Sequence, residues 1–275
     1  MNRNKKILIL SMSCNQPYFQ ALLGAVKDTW AKPLVQNKYS NITWFAYTSC
    51  DVNHPKPCVD FENHMIYVDC PDDLHHSYEK TKKAYNMIKD IVDFDYVIRT
   101  NTSVYVNLDL MLERVKSLDD DSVMGNWYSW RCPKNKDISF FLLVGFFYGM
   151  CKEYFEYGVS ANNEYIKCKN GETFYTNDDV IFSKRLIECI GERYNKPIGI
   201  SPTSMITIYK PYNEKDDTSK IPELNNRNNF NISFNPECVN DEIMVRYRCF
   251  YQDEKRIEKG HEIEHIYELH NALKK

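Results

Sequence analysis

A polar triplet, Asn101-Thr102-Ser103, combines residue types and spacing that suggest chemistry on a ligand. It separates two apolar runs, 96–98 and 104–106, whose residues favour β-strands. A polar turn at the end of a strand is a common position for a ligand site in an open α/β sheet. The triplet is therefore a candidate binding site, and an ordinary β-turn is the alternative interpretation.

Two consecutive carboxylates, Asp178 and Asp179, form a second candidate group. Asn177 precedes them and can cap a helix, so the pattern predicts a helix whose first turn holds both aspartates. The dipole of that helix favours the ionised form of a carboxylate in its first turn unless an apolar wall opposes the dipole. Helix capping alone is the alternative interpretation of these residues.

Two arginines near the end of the chain, Arg246 and Arg248, form a third candidate group. The planar guanidinium group suits bidentate contact with phosphate oxygens, so these residues could bind an anionic ligand. Arginines that alternate in this way also occur on an exposed surface strand, and the sequence leaves both interpretations open.

The elements that must position these residues alternate between strands and helices. The apolar run Ile138–Met150 is too short to span a membrane and predicts a central strand. The alternation predicts an α/β fold of one domain, in which helices flank a central, Rossmann-like mixed sheet with mostly parallel strands. The other predicted elements are strands at 7–11, 43–47 and 64–68 and helices near 18–31, 75–92 and 253–274.

Composition and motifs exclude several classes of protein. The formal net charge of −3 and the lack of an arginine-rich stripe predict no nucleic-acid partner. The sequence has no phosphate-binding glycine loop and no Gly-x-Ser-x-Gly elbow, so kinase, dehydrogenase and serine-nucleophile chemistry is not expected. His261-Glu-Ile-Glu-His265 matches a zinc-protease pattern, but its charged surroundings predict a solvated helix face.

The cysteines and the N-terminal residues bear on the cellular compartment. The first apolar run, Ile7–Leu10, is too short for a signal-peptide core, and the sequence predicts no transmembrane segment. The ten cysteines contain no Cys-x-x-Cys pair, which favours separate reduced thiols. These features predict a cytoplasmic protein, located in the cytoplasm of the host if the chain is viral.

Four motifs occur in an order that is typical of one enzyme family. They are Ala25-Val-Lys-Asp-Thr-Trp30, Ser77-Tyr-Glu-Lys-Thr81, the stretch from Arg99 to Asn107, and Asp178-Asp-Val180. The series resembles the inverting glycosyltransferases of the β-1,3-galactosyltransferase and fringe type, which have a GT-A fold. That family has Arg-x-Thr-Trp, Tyr-x-Asn-Leu-x-x-Lys-Thr, Lys-Thr-Asp-Asp-Asp-Val-Phe-Val-Asn and Glu/Asp-Asp-Val in the same order. The resemblance spans roughly residues 5–190.

The resemblance implies an enzyme that transfers a sugar, with inversion, from a nucleotide sugar such as a UDP-sugar to a glycan or glycoconjugate hydroxyl. Asp179 would be the catalytic base, with Asp178 as its neighbour. Residues 1–107 would form the donor half of the domain, and residues 108–275 the acceptor half with the C-terminal helix. The donor-side residues would be Ser13, Lys80, Arg99, Asn101, Thr102, Ser103, Arg246 and Arg248.

The resemblance also suggests where acceptor specificity would lie. Trp127 and Trp130 could stack on an acceptor sugar, or they could pack in the protein interior. Both fall in the predicted loop 127–137, which would control specificity together with the predicted loops 50–63 and 210–240.

The triplet departs from the family at the metal site. Relatives hold Mn²⁺ through an acidic triplet that bridges to the diphosphate, whereas Asn101, Thr102 and Ser103 offer neutral oxygens. Firm binding of Mn²⁺ or Mg²⁺ is not expected here, and Asn101 and Ser103 would be the ligands of any weakly bound ion. Two interpretations stay open: a transferase in which Arg246 or Arg248 replaces the charge of the metal, or a catalytically inactive GT-A domain that binds a nucleotide or glycan or acts as a scaffold.

Overall fold

The computed structural model describes residues 5–119, 122–131, 139–161, 165–167, 173–175, 178–194, 199–201, 205–210, 230–231, 244–249 and 261–273. Its helices are α1 (Pro17–Asp28), α2 (Lys32–Val35), α3 (Ser77–Ile88), α4 (Leu108–Ser117), α5 (Lys152–Gly158), α6 (Asp178–Tyr194) and α7 (His261–Leu273). Its strands are β1 (Ile7–Met12), β2 (Ile42–Ser49), β3 (Cys58–Asp60), β4 (Met65–Val68), β5 (Tyr96–Asn101), β6 (Val104–Val106), β7 (Ser122–Arg131), β8 (Ser139–Cys151), β9 (Tyr165–Lys167), β10 (Thr173–Tyr175), β11 (Gly199–Ser201), β12 (Met205–Lys210), β13 (Phe230–Asn231) and β14 (Met244–Cys249).

The main sheet has eight strands in the order β11-β7-β8-β5-β1-β2-β4-β3. Its central strands β5, β1, β2 and β4 are parallel, and β8 joins them in the antiparallel direction beside β5. This mixed sheet with helices on both faces confirms the α/β fold with a Rossmann-like, mostly parallel central sheet that the sequence predicts.

The two faces of the main sheet bury separate hydrophobic cores. Strand β1 is apolar at every position from Ile7 to Leu10, and alternate residues point into opposite cores. Helices α1, α2, α4 and α7 cover one face, and α3, α5 and α6 cover the other. Residues 139–150 of the predicted run are confirmed as central sheet, because β8 lies between β5 and β7. No helix in the described ranges is long and apolar enough to cross a membrane.

A second sheet, in the order β13-β12-β14-β6, begins at the polar triplet. Asn101 is the last residue of β5, and Thr102 and Ser103 form the turn that follows it. The strand after the turn, β6, leaves the main sheet and pairs with β14 in the antiparallel direction. The triplet therefore joins two sheets. The apolar pattern alone indicates two strand pieces separated by a turn, and the structure adds that these two strands belong to different sheets.

Three predicted loops contain strands. Trp127 and Trp130 lie within β7, because their backbones pair with Leu143 and Phe140 of β8, so residues 127–131 of the predicted loop 127–137 belong to the sheet. Strand β3 occurs in the predicted loop 50–63, and the two-residue strand β13 occurs in the predicted loop 210–240. The predicted C-terminal helix is present from His261 to Leu273, and its predicted start at 253–260 lies outside the described residues.

Candidate functional site

The candidate site lies where the order of parallel strands reverses. From β1 the chain continues to β2 and β4 on one side, and then crosses to β5 on the other side of β1. Met12 and Asn101, the last residues of β1 and β5, are paired, and the Thr102 amide donates to the Met12 carbonyl at 3.2 Å. Such a reversal leaves a crevice at the carboxyl ends of the two strands, where ligands bind in open α/β sheets.

Two polar atoms at this reversal have no hydrogen-bond partner among the described residues. They are Ser13 Oγ, in a residue that is only 4% exposed, and Asn101 Oδ1. A buried polar atom that lacks a partner costs free energy, so it calls for an explanation such as a ligand. These two atoms, called the open pair below, come from adjacent strand ends and mark the candidate binding position.

Arg99 lies on β5 below the open pair and is completely buried. It points to the same face of the sheet as Asn101, because alternate residues of a strand share a face. Its Nη2 atom donates to Met12 Sδ at 3.3 Å, and its Cζ atom lies 5.8 Å from the centre of the Tyr148 ring. The guanidinium stays charged at any ordinary pH, so it adds positive potential beneath the strand ends.

Lys80 is buried as well, and its ammonium group is bound by the protein. This residue of α3 is 3% exposed, and it forms an ion pair with Asp72 and donates to the Ser13 carbonyl at 3.4 Å. Burial alone would raise the pKa of Asp72, but the hydrogen bonds from Lys80 and from the Asn15 amide outweigh burial and hold the pKa below its usual value.

A hydrogen-bond network extends from this ion pair over two loops and the end of a strand. Asp72 accepts from the Asn15 amide at 2.5 Å and from Ser49 Oγ at 3.2 Å. The Asn15 side chain donates to the Ser49 carbonyl at 2.9 Å and accepts from Thr48 Oγ1 at 2.9 Å. We call Asn15, Thr48, Ser49, Asp72 and Lys80 the strand-end clamp. The clamp joins the loop after β1, the end of β2 and the loop after β4 to helix α3.

The motifs that contain Lys80 and Trp30 make buried hydrogen bonds within the fold. Tyr78 and Thr81 flank Lys80 on the buried side of α3, where Thr81 Oγ1 bonds to the Tyr47 hydroxyl at 2.8 Å. Helix α1 ends at Asp28, so Trp30 lies beyond the helix that the sequence predicts to reach residue 31. Trp30 Nε1 donates to the Val104 carbonyl at 3.0 Å, which holds the first residue of β6 just after the triplet.

The paired carboxylates begin helix α6, as the sequence predicts, with Asp178 as its first residue. Asp179 is half-buried, and its Oδ1 accepts from the Val180 amide at 2.9 Å. The helix packs so closely against α5 that an added Cβ at Gly158 would overlap the ring of Phe182. Helix α6 thus covers the same sheet face as Lys80 and Arg99. Asn177 and the Asp178 side chain lie outside the described parts of the chain.

The arginine strand β14 lies beside the strand that leaves the triplet. The backbone of Arg246 pairs with Val104, and Arg248 follows where β14 extends past its last pair with β6, in the direction of the turn. This pairing brings residues about 140 positions apart in the sequence to one place. The side chains of Arg246, Arg248, Trp127 and Trp130 lie outside the described residues.

The donor set at the triplet does not fit a firmly bound Mn²⁺ or Mg²⁺. Asn101 Oδ1 could be one oxygen ligand, but Thr102 and Ser103 add only neutral oxygens, and hard divalent cations need carboxylates for strong binding. The nearby Asp72 carboxylate is paired with Lys80. Among the described residues no group of three or more His, Cys, Asp or Glu side chains could hold a metal ion.

The sequence interpretation missed the acidic member of the clamp. Asp72 follows the predicted strand 64–68 and precedes the predicted helix 75–92, so a carboxylate at a strand end was the available signal. Asn15 and Ser49 were also missed, because a polar residue after a strand is common and only the folded contacts distinguish these two. The structure brings together Ser13, Lys80, Arg99 and the triplet, all of which the resemblance assigns to the donor side.

Comparison with known proteins finds similarity to solved structures. No family model and no curated protein matches the chain. The chain is similar to the crystal structure of a glycosyltransferase involved in the glycosylation of the major capsid of PBCV-1, with 13% sequence identity, a TM-score of 0.43, and coverage of 93% of this chain and 98% of that chain. A similarity at this level assigns no activity and no residue role, so the function proposed below rests on the residues of the chain itself.

Proposed function

We propose that this protein is a glycosyltransferase that moves a sugar from a nucleotide sugar, in the first instance a UDP-sugar, to a hydroxyl group of a glycan or glycoconjugate. The observation that carries the proposal is the open pair at the reversal of strand order. Ser13 Oγ and Asn101 Oδ1 are buried polar atoms without partners among the described residues, and they lie where an open α/β sheet binds nucleotides. The four ordered motifs support a sugar nucleotide as the ligand.

The reaction needs a base, an in-line attack and a stabilised leaving group. In the proposed step the acceptor hydroxyl oxygen forms a bond to the anomeric carbon of the donor sugar, and its proton passes to the Asp179 carboxylate. The bond between the anomeric carbon and the β-phosphate oxygen breaks at the same time, and the nucleoside diphosphate leaves with that electron pair. Attack from the face opposite the leaving group inverts the anomeric centre.

The departing diphosphate needs positive charge close to it. Because the triplet offers no carboxylate for a metal ion, we assign this role to Arg246 or Arg248. The pairing of Arg246 with Val104 supports this assignment, since it brings β14 next to the residue that follows the triplet. The buried Arg99 adds to the positive potential from below the strand ends.

Ligand identity can be tested with a thermal-shift panel of UDP-, GDP-, CMP- and dTDP-sugars. A ligand that binds only the folded protein raises the melting temperature, and we expect the UDP-sugars to give the largest rise. Asn101→Ala should abolish that rise, because it removes a polar atom of the open pair. A panel in which no nucleotide sugar raises the melting temperature would refute the proposal.

Metal dependence can be tested by measuring transfer, or hydrolysis of the nucleotide sugar, with EDTA and with added Mn²⁺. We expect activity to persist in EDTA, and Arg246→Ala or Arg248→Ala to lower it. If chelation removes activity or UDP binding and Mn²⁺ restores it, the assignment of the metal's role to arginine is wrong.

The second candidate function is a catalytically inactive domain that binds a nucleotide or a glycan. The observation in its favour is the loss of every carboxylate from the triplet. Asp179→Asn separates the two functions, because removal of a general base should lower turnover by about 10²–10⁴-fold and leave nucleotide binding intact. An inactive domain would show no turnover for the variant to lower.

A further inference from the structure

We infer that Lys80 is a positioning residue: together with Asp72 it holds the loop after β1 so that Ser13 of the open pair faces the donor, and it does not itself bind the donor phosphates. The inference rests on the proposed function, and it states which residues hold the loop after β1 in place at the proposed donor site. It differs from the role that the family resemblance implies for Lys80, which is direct membership of the donor-binding set.

The first reason is that the Lys80 ammonium already has partners inside the protein. A buried ammonium has three donor hydrogens, and here Asp72 Oδ1 and the Ser13 carbonyl accept two of them. The group is 3% exposed, so a phosphate could reach it only if these contacts opened. Separation of the pair would also leave the Asp72 carboxylate partly buried beside the anionic ligand.

The second reason is that Lys80 and Asp72 both contact the same loop, which follows β1. Lys80 holds the carbonyl of Ser13, Asp72 holds the amide of Asn15, and Cys14 Sγ lies 3.9 Å from the Asp72 carbonyl. All three residues of segment 13–15 are therefore held from outside the loop. The orientation of Ser13 Oγ depends on these contacts, because this hydroxyl has no hydrogen-bond partner of its own in the described part of the chain.

The inference predicts an unusual result for Asp72→Asn. Asp72 accepts from Lys80 and Ser49 on one oxygen and from the Asn15 amide on the other. An asparagine has a single side-chain oxygen, so it cannot keep both sets of contacts. If Lys80 only positions the loop, Asp72→Asn weakens ligand binding. If Lys80 binds phosphate, loss of the competing carboxylate makes the ammonium more available and strengthens the binding of UDP.

The test compares uridine with UDP in calorimetric titrations of the full chain, because these ligands differ only in the diphosphate. We expect Lys80→Met and Asp72→Asn to weaken uridine and UDP by the same factor, about tenfold, since a misplaced loop affects both ligands alike. Lys83→Met is the matched control, because Lys83 is more exposed than Lys80 and contacts Glu79 and the Asp69 carbonyl instead of Asp72 and Ser13. A loss confined to UDP in Lys80→Met, or tighter UDP binding by Asp72→Asn, would overturn the inference.

A second measurement needs no ligand. Iodoacetamide alkylation of Cys14 is followed by peptide mass spectrometry over a range of pH, and the rate constant of the thiolate itself reports on access to the loop, because Lys80 and Asp72 also shift the pKa of this thiol. Cys151 is the internal reference on β8. We expect Cys14 to react at least about threefold faster in Lys80→Met and Asp72→Asn, with Cys151 unchanged. An unchanged Cys14 rate in folded variants would contradict the positioning role. If Lys80→Met does not fold, Lys80→Met/Asp72→Asn replaces it, because that double variant leaves no buried charge unpaired.

The two measurements separate failure of the inference from failure of the proposed function. If the unaltered chain binds neither uridine nor UDP, the proposed function fails, and the Cys14 rates still decide whether the ion pair holds the loop. If the chain binds both ligands and the variants lose only UDP, the function stands and the positioning role of Lys80 is rejected.

Discussion

Two neighbouring parts of one sheet edge differ in whether their buried polar groups have hydrogen-bond partners. At the ends of β2 and β4 the strand-end clamp pairs a buried ammonium with a carboxylate and satisfies the surrounding amides and hydroxyls from within the protein. At the ends of β1 and β5 the open pair has no hydrogen-bond partner among the described residues. Buried polar groups are normally satisfied, so the contacts of the first region stabilise the fold, whereas the unsatisfied atoms of the second region support the proposed ligand site.

Lys80→Met should have the largest effect on this difference, because it leaves the Asp72 carboxylate of the strand-end clamp partly buried and without its ion-pair partner. We expect a loss of about 3 kcal/mol in the free energy of unfolding, measured by urea denaturation. Lys83→Met should cost less than about 1 kcal/mol, because its ion pair with Glu79 is partly exposed to solvent. Equal losses for the two variants would show that the clamp does not stabilise the fold.

Two serines on the same strand end provide a sharper comparison. Ser11 Oγ accepts from Trp44 Nε1 at 2.8 Å in the buried core, whereas Ser13 Oγ has no partner in the described ranges. Ser11→Ala should cost about 1–2 kcal/mol of unfolding free energy, because it leaves the indole N–H unsatisfied. Ser13→Ala should leave stability unchanged or slightly higher, while it reduces the thermal shift produced by a UDP-sugar. Destabilisation by Ser13→Ala would indicate that its hydroxyl serves the fold.

The pH dependence of stability should distinguish the clamp from an uncharged network. The ion pair and its hydrogen bonds lower the pKa of Asp72 in the folded state, so its contribution is fully present above the unfolded pKa of about 3.9 and is lost as pH falls through the folded pKa. The difference in unfolding free energy between the unaltered chain and Asp72→Asn should therefore be constant near neutral pH. It should shrink below about pH 4 by no more than about 1.4 kcal/mol per pH unit, since one proton is involved. A difference that stays constant to pH 3 would contradict an ionised Asp72.

The local elements of this protein could be predicted from its sequence because they follow from side-chain periodicity. The apolar runs of β1, β2 and β5 and the buried face of α3 gave the parallel sheet and its flanking helices. The polar triplet was recognisable as a turn at a strand end for the same reason. The grouping of Ser13, Lys80, Arg99 and the triplet was an expectation from the family resemblance, and the folded chain brings these residues together.

The sequence by itself thus determined the central strands, the main flanking helices and a polar turn between two apolar runs, because each depends on residues close together in the chain. Only the tertiary structure decided that β6 leaves the main sheet to pair with β14, since that pairing joins segments about 140 residues apart. It also decided that Lys80 meets Asp72 and that Ser13 and Asn101 lack such partners. Whether a buried polar group is satisfied depends on neighbours that the chain brings together only when it folds.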